Sequence, residues 1–235
     1  MNKEEFYNLL KNDLKIELND KQKNDLESFA NLLLEYNKHT NITAIRDKES
    51  VYLKHFYDSL TLVRVINLKE KLEVLDVGSG GGFPGIVLAI VFPNLNITLL
   101  DSNHKKSDFQ SYIVNNLKLN NVTIVNNRAE NYFKKGLKYD LVVARAVASL
   151  RILTELCLPF VKVNGHFIAM KADASLEFEE AIKTISFLGG NIVKQEKFYL
   201  KDNTDLRNLI DIKKVKDSPS GYPRVYDKIV KKPIK

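Results

Sequence analysis

Residues 74–85 read Val-Leu-Asp-Val-Gly-Ser-Gly-Gly-Gly-Phe-Pro-Gly, an apolar run that breaks into glycines. Glycine lets the main chain turn sharply and brings backbone amides within reach of a ligand, because no Cβ intervenes. Asp101 closes the next apolar run, 21 residues beyond Gly80. A carboxylate there is placed to accept hydrogen bonds from both hydroxyls of a ribose. A glycine-rich turn without a ligand is the plainer reading, and the spacing to Asp101 argues against it. The chemistry expected of Gly78, Gly80 and Asp101 is binding of a nucleoside-containing cofactor.

Which cofactor follows from the neighbours of the turn. A dinucleotide lays a pyrophosphate over the glycines and disfavours a carboxylate beside it. Here Asp76 stands just before Gly78-Ser79-Gly80. An acidic residue at that point suits a ligand with a positive amino group and a sulfonium, which favours S-adenosylmethionine over NAD. No Gly-Lys-Ser/Thr follows the turn, so a phosphate-binding P-loop is excluded. No metal site is expected.

These residues need a scaffold. Apolar runs at 72–77, 96–101, 122–125 and 141–144 predict strands, and 85–91, 105–119 and 150–160 predict helices between them, the first opened by Pro84. Further strands are predicted at 165–170 and 191–199 around a helix at 176–188, with 209–215 as a last, edge strand. Strands alternating with helices imply a mainly parallel sheet covered on both faces. The first seventy residues are helical in pattern. Leu26, Phe29, Ala30 and Leu33 share one helix face, Asn19 or Asp20 is placed to cap it, and a second helix follows over 48–57. The expected class is α/β, a doubly wound, mostly parallel sheet. Its expected divisions are a helical cap over 1–68, a cofactor-binding domain over 69–216 and a basic tail over 217–235.

With 235 residues, 44% of them hydrophobic, the chain can fill a good-sized core. The one cysteine, Cys157, lies in the apolar stretch Leu156-Cys157-Leu158 and reads as a core residue. A reducing, cytoplasmic setting is expected. The start of the chain shows no secretory signal, and no apolar run approaches the roughly 18–20 residues that span a bilayer. The net charge of +7 is concentrated: residues 207–235 hold nine Lys/Arg against three acidic residues. That stretch is either a solvated tail or the contact for a polyanion. Pro219, Gly221, Pro223 and Pro233 argue against an amphipathic helix there, and so against a membrane surface.

Longer motifs sharpen the reading: Tyr-Asn-Lys-His-Thr-Asn-Ile-Thr-Ala-Ile at 36–45, His-Phe-Tyr-Asp-Ser-Leu at 55–60, the turn at 75–85, Leu-Leu-Asp-Ser at 99–102 and Ala-Arg-Ala-Val-Ala-Ser-Leu at 144–150. Together they resemble the bacterial small-subunit ribosomal RNA methyltransferase G family, also called glucose-inhibited division protein B. Arg-Asn-Leu-Ile at 207–210 and Tyr-Pro-Arg at 222–224 resemble its longer members, with Val225 where a glycine is expected. The resemblance implies a Rossmann-like class I methyltransferase fold and S-adenosylmethionine as donor. It implies methylation of N7 of one guanine in the decoding-centre loop of 16S rRNA, with that rRNA or the small ribosomal subunit as partner. It also implies donor contacts from Gly78, Phe83, Ala129, Glu130 and Arg145. For Ala129-Glu130 an ordinary helix start is the alternative. A monomer is expected.

Guanine N7 has a free lone pair, so its methylation needs in-line positioning more than a general base. The sequence agrees: it has no Asn/Asp-Pro-Pro-Tyr to hold an exocyclic amine and no Pro-Cys nucleophile. Arg145, just past a strand, is the expected catalytic residue, its fork suited to guanine O6, a phosphate or the donor. His55 and Asp58 read equally as helix-capping residues or site residues, and Lys171 as solvated. The tail is expected to serve RNA and not the donor. A non-catalytic rRNA-binding assembly factor that kept the fold is the alternative function; its mark would be a degraded turn, and the turn at 75–85 is intact.

Overall fold

In the computed structural model, residues 1–145, 148–172, 175–201 and 205–234 are described; Ala146 and Val147 of the 144–150 motif, and Lys235, lie outside them. Strands β1 (Glu73–Val77), β2 (Asn96–Asp101), β3 (Val122–Asn126), β4 (Tyr139–Arg145), β5 (Val161–Lys171), β6 (Gly190–Tyr199) and β7 (Leu206–Lys214) form one sheet in the order β3-β2-β1-β4-β5-β7-β6. Every pairing from β3 through β5 is parallel, and β7 runs antiparallel to both β5 and β6. The expected edge strand is therefore an interior one. The reason lies in its burial: Asn208 through Ile212 are all buried, whereas β6 exposes Val193, Lys194 and Gln195 and takes the edge.

The helices are α1 (Lys3–Leu9), α2 (Asp20–Tyr36), α3 (Lys48–Ser50), α4 (Asp58–Leu60), α5 (Gly85–Val91), α6 (His104–Leu117), α7 (Ala129–Tyr132), α8 (Leu150–Cys157), α9 (Ser175–Phe187) and α10 (Tyr226–Lys231). A π-helical segment, Val51–Tyr57, joins α3 to α4, and a 3₁₀ turn continues to Arg64, so 48–64 is one unbroken helical run. Asn19 caps α2 reciprocally with Gln22. Pro84 stands one place ahead of its expected position, as the residue before α5.

Strand alternation divides the core. Val74, Leu141 and Val143 face one side, packed with Phe6, Leu26, Phe29, Phe56, Ile86 and Phe109 from the N-terminal helices, α5 and α6. Leu75, Val77, Val142 and Ala144 face the other, packed with Leu153, Phe160 and Ile185. The N-terminal helices thus share an apolar core with the sheet itself. The tail differs from expectation. A six-residue helix, α10, forms between Pro223 and Pro233, and Ile229 is buried in the second core. The docked Ile229 and the contacts of the flanking residues, not a periodic apolar stripe, hold that helix in place.

Close approach is tight where α5 begins. A Cβ on Gly85 would lie 2.2 Å from Leu99 Cδ2 and 2.9 Å from Asp76 Oδ2. Overpacking of this kind costs about 1–3 kcal/mol. Gly85→Ala is accordingly expected to lower the unfolding free energy by that amount, read as a lower urea midpoint with the m-value unchanged.

Candidate active site

Successive strands run outward in opposite directions from β1 and β4, and a crevice opens at the carboxyl ends of the strands at such a reversal. A cavity of about 600 Å³ lies there, its wall drawn from the ends of β1, β2, β3 and β4. Gly78, Gly80, Phe83, Asp101, Ala129, Glu130 and Arg145 all line it. The turn requires its glycines: φ is +71° at Gly78 and +57° at Gly80. From α6 the buried Gln110 Nε2 donates to Ser79 Oγ at 2.8 Å and to Gly80 O at 2.7 Å, which pins the turn from behind.

Acidic groups occupy one side. Asp101 accepts from Gly80 N–H through Oδ2 and from Asn103 N–H through Oδ1, both at 2.8 Å. Each oxygen can accept again, so the carboxylate is fixed in orientation and still able to bind hydroxyls. Glu130, 9% exposed, opens α7 on the same wall, with Leu100 and Leu156 beside it.

Arg145 lines the cavity from the end of β4, held by a network of its own. Arg145 Nη1 donates to Asp58 Oδ2 at 3.1 Å and to Lys54 O at 3.2 Å, and Nη2 donates to His55 Nδ1 at 3.2 Å. Its guanidinium lies over the Phe83 ring, 5.3 Å from the centroid. Because the guanidinium can only donate, His55 Nδ1 accepts; Nε2 then carries the proton and pairs with Thr43 Oγ1 at 3.0 Å. The His55 ring stacks on Phe83 at 4.1 Å. Burial, with the Arg145 charge beside it, pushes the His55 imidazole down to about 3, so the ring is neutral at physiological pH. The loop carrying Thr43 is held by Asn37. Its Nδ2 donates to Thr43 O and Ile45 O, and its Oδ1 accepts from Ile42 N–H and Thr43 N–H.

Asp76 is placed differently from its expectation beside the ligand. Strand alternation turns it to the face of Val74, under α5, where Oδ2 accepts from Gly85 N–H at 2.9 Å. It is fully buried and stands behind the glycine turn, not in the cavity wall. Oδ1 finds no hydrogen-bond partner among the described residues. Burial pushes this carboxyl up to about 7, against the opposing pull of Gly85 N–H and the Arg145 charge.

A family model described as rRNA small subunit methyltransferase G matches residues 22–209. The chain belongs to that family. Ribosomal RNA small subunit methyltransferase G of Staphylococcus carnosus is 45% identical over 214 residues, covering 89% of each chain. The protein of that name from Brevibacillus brevis is 42% identical over 238 residues and covers 100% of both. Among solved structures, NSun6 from Pyrococcus horikoshii with SFG aligns at a TM-score of 0.57 and 17% identity, over 69% of this chain and 52% of its own. That likeness shows the fold, the Rossmann-like fold of class I methyltransferases.

In this methyltransferase G chain several site residues carried no clear sequence signal. Asp58 and His55, ambiguous in sequence, both belong to the Arg145 cluster. Arg207 counted as tail charge, yet its Nε donates to Asp58 Oδ1 at 3.0 Å. Tyr226, from the tail, lines the cavity. Lys171 is not solvated: its ammonium donates to Ala148 O at 2.7 Å and pairs with Glu177 at 3.0 Å. Cys157 is buried, as its apolar neighbours predict. Among the described residues no cluster of His, Cys, Asp and Glu could hold a metal, and no helix is long and apolar enough to cross a membrane.

The Asp76 environment has a pH signature. Its folded value lies above its unfolded one, so the stability it contributes is present below its ordinary value and lost as pH rises toward about 7. Asp76→Asn keeps an acceptor for Gly85 N–H and removes that titration. Relative to wild type, the variant is expected to gain about 1.4 kcal/mol per pH unit between roughly pH 4 and 7. Urea unfolding at several pH values in that window, without donor, measures it; a flat difference would mean that Asp76 ionises normally.

Proposed function

We propose that this chain transfers a methyl group from S-adenosylmethionine to N7 of a guanine in small-subunit rRNA. The observation that carries the reading is the cavity at the strand reversal, with Asp101 and Glu130 on one wall and Arg145 on the other, in a chain of the methyltransferase G family. The residues present fit the donor: an open glycine turn, a preset carboxylate at Asp101 for ribose hydroxyls, a second acceptor at Glu130, and apolar surface from Leu100, Leu156 and Phe83. S-adenosylmethionine, when bound, supplies an electrophilic methyl group on a sulfonium. Gly78, Gly80 and Ala129 admit the ligand close to the main chain, and Asp76 fixes the turn from behind through Gly85. Residues 69–216 supply this chemistry, 1–68 the helical layer that holds Arg145, and 217–235 the basic tail.

No side chain needs to take a proton from N7. His55 accordingly does not serve as a base: it is neutral and both ring nitrogens are engaged. Its role is to hold Arg145 against Phe83. Arg145 orients the base through O6 or a neighbouring phosphate, leaving the N7 lone pair free.

Mass analysis of 16S rRNA from a deletion strain, before and after complementation, tests the reading. Wild type is expected to restore one methyl group on a guanine; no change in that rRNA would overturn the proposal. Arg145→Ala is expected to lower transfer to ribosomal particles roughly a hundredfold or more. Asp101→Ala is expected to weaken donor binding by roughly 1.5–3 kcal/mol in calorimetry, the scale of hydrogen bonds to a charged group. A gain of NADP affinity instead would revive a dinucleotide reading.

A further inference from the structure

The segment after β7 does more than carry charge. Arg224 reaches Glu155 on α8 with a fork, Nε to Oε1 at 2.7 Å and Nη2 to Oε2 at 2.6 Å, and its backbone N–H adds a third bond at 3.2 Å. The Glu155 side chain is 1% exposed and that of Arg224 13%, so the carboxylate is buried beneath a partly exposed guanidinium. Two apolar contacts flank it: Ile229 is 1% exposed, and Tyr222 meets Phe187 edge-on at 5.2 Å. Between these anchors the chain passes the cavity. Tyr226 forms part of its wall, and the Tyr226 N–H donates to Glu130 Oε1 at 3.3 Å. One carboxylate, Glu130, therefore faces the cavity and holds the tail at once.

We infer that Tyr226 is a donor-binding residue delivered by the C-terminal segment, so that docking of residues 221–234 and donor binding favour each other. The inference rests on the methyl-donor reading of the cavity. It reverses the expectation that the tail is irrelevant to the donor. Tyr226 closes the wall beside Glu130 with an aromatic surface, which suits a purine ring, and its amide steadies the carboxylate that faces the same ligand. The segment is held by one ion pair, by the buried Ile229 with Tyr222 and Ile234 packed partly on the same core, and by the bond from Thr184 Oγ1 to Ile234 O, while Val225, Asp227, Lys228, Val230, Lys231 and Lys232 are exposed. A strap anchored at so few points opens at modest cost, and a ligand that binds the docked form better shifts it by its differential affinity. The coupling is reciprocal: whatever undocks the strap weakens the donor by the same factor.

The full chain tests this in two ways. First, trypsin cuts after Arg224, Lys228 and Lys231 when the strap is free. Saturating S-adenosylmethionine is expected to slow those cuts several-fold while cuts elsewhere in exposed loops are unchanged. Second, calorimetry of full-length variants reads the wall itself. Tyr226→Ala is expected to weaken donor affinity about tenfold, the scale of losing one aromatic face against a base. Tyr226→Phe is expected to retain affinity, and Ile229→Asp, which undocks the strap, to lose it. Should wild type bind the donor while its tail is cut equally fast with and without it, or should Tyr226→Ala bind as tightly as wild type, the inference is overturned. A wild-type protein that does not bind the donor at all overturns the cavity reading first, and this inference with it.

Discussion

Two guanidinium groups share one buried carboxylate where the N-terminal helices meet the sheet. Asp58, 3% exposed, takes Arg145 on one oxygen and Arg207 on the other. The carboxylate belongs to the helical run of the first layer, Arg145 to the end of β4 and Arg207 to the start of β7. Three elements distant in sequence are thereby fixed at one point. Burying charges costs several kcal/mol each unless geometry and hydrogen bonds compensate, and here each Asp58 oxygen meets a guanidinium nitrogen at 3.0–3.1 Å. Two cations on one anion leave a surplus positive charge, and the group of that cluster that lines the cavity is Arg145. The carboxylate that ties three elements together thus also holds the guanidinium that lines the cavity.

The charge of the cluster is set by its two guanidinium groups and Asp58 alone, because its titratable neighbour His55 stays neutral. A protonated His55 would sit against Arg145 and lose its acceptor at Nδ1, and burial opposes that charge further. Across the turn, burial works the other way on Asp76, which sits under α5 with one oxygen unpartnered. Between roughly pH 4 and 6.5 the two groups pull stability in opposite directions: His55 favours the folded state as pH rises and Asp76 disfavours it. Their slopes offset each other, and for that reason the Asp76 contribution shows only as a difference between variants.

Local pattern carried most of the fold into view. The strand runs at 72–77 and 96–101 and the glycines between them are legible because a parallel strand is continuously apolar and the turn cannot tolerate side chains. What stayed hidden depends on contacts between distant residues. Asp58 and Arg207 are 149 positions apart, and neither has a local pattern that names the other. Asp76 was legible as an acid beside the turn, but its direction follows from which face α5 covers, a tertiary fact. Strand β7 was recognisable as a strand, while its interior position depends on β6 folding back outside it. The helix at Tyr226–Lys231 was obscured by the prolines that bound it, since its stability comes from Ile229 and Arg224 docking elsewhere.

Charge illustrates the same limit. A formal count treats every cation in 207–235 alike, but the fold divides them. Arg207 is committed to Asp58 and Arg224 to Glu155, and Lys214 donates to Leu158 O, Leu188 O and Ser218 Oγ, its ammonium pushed down to about 8 by burial. Lys216, Lys228, Lys231 and Lys232 remain exposed. Phosphate contact draws on cations that can meet a strand of nucleic acid and shed their counterions, so the committed groups contribute little to a salt-dependent affinity. Cations also stand around the cavity: Lys106 and Arg128 line it, the latter 4.0 Å from Glu130, and Arg46, which donates to Ile45 O and Asn41 Oδ1, is exposed on the loop whose Ile42 and Thr43 line it too. The basic excess of the tail is thus partly committed to buried internal partners, and cations line the cavity as well as the end of the chain.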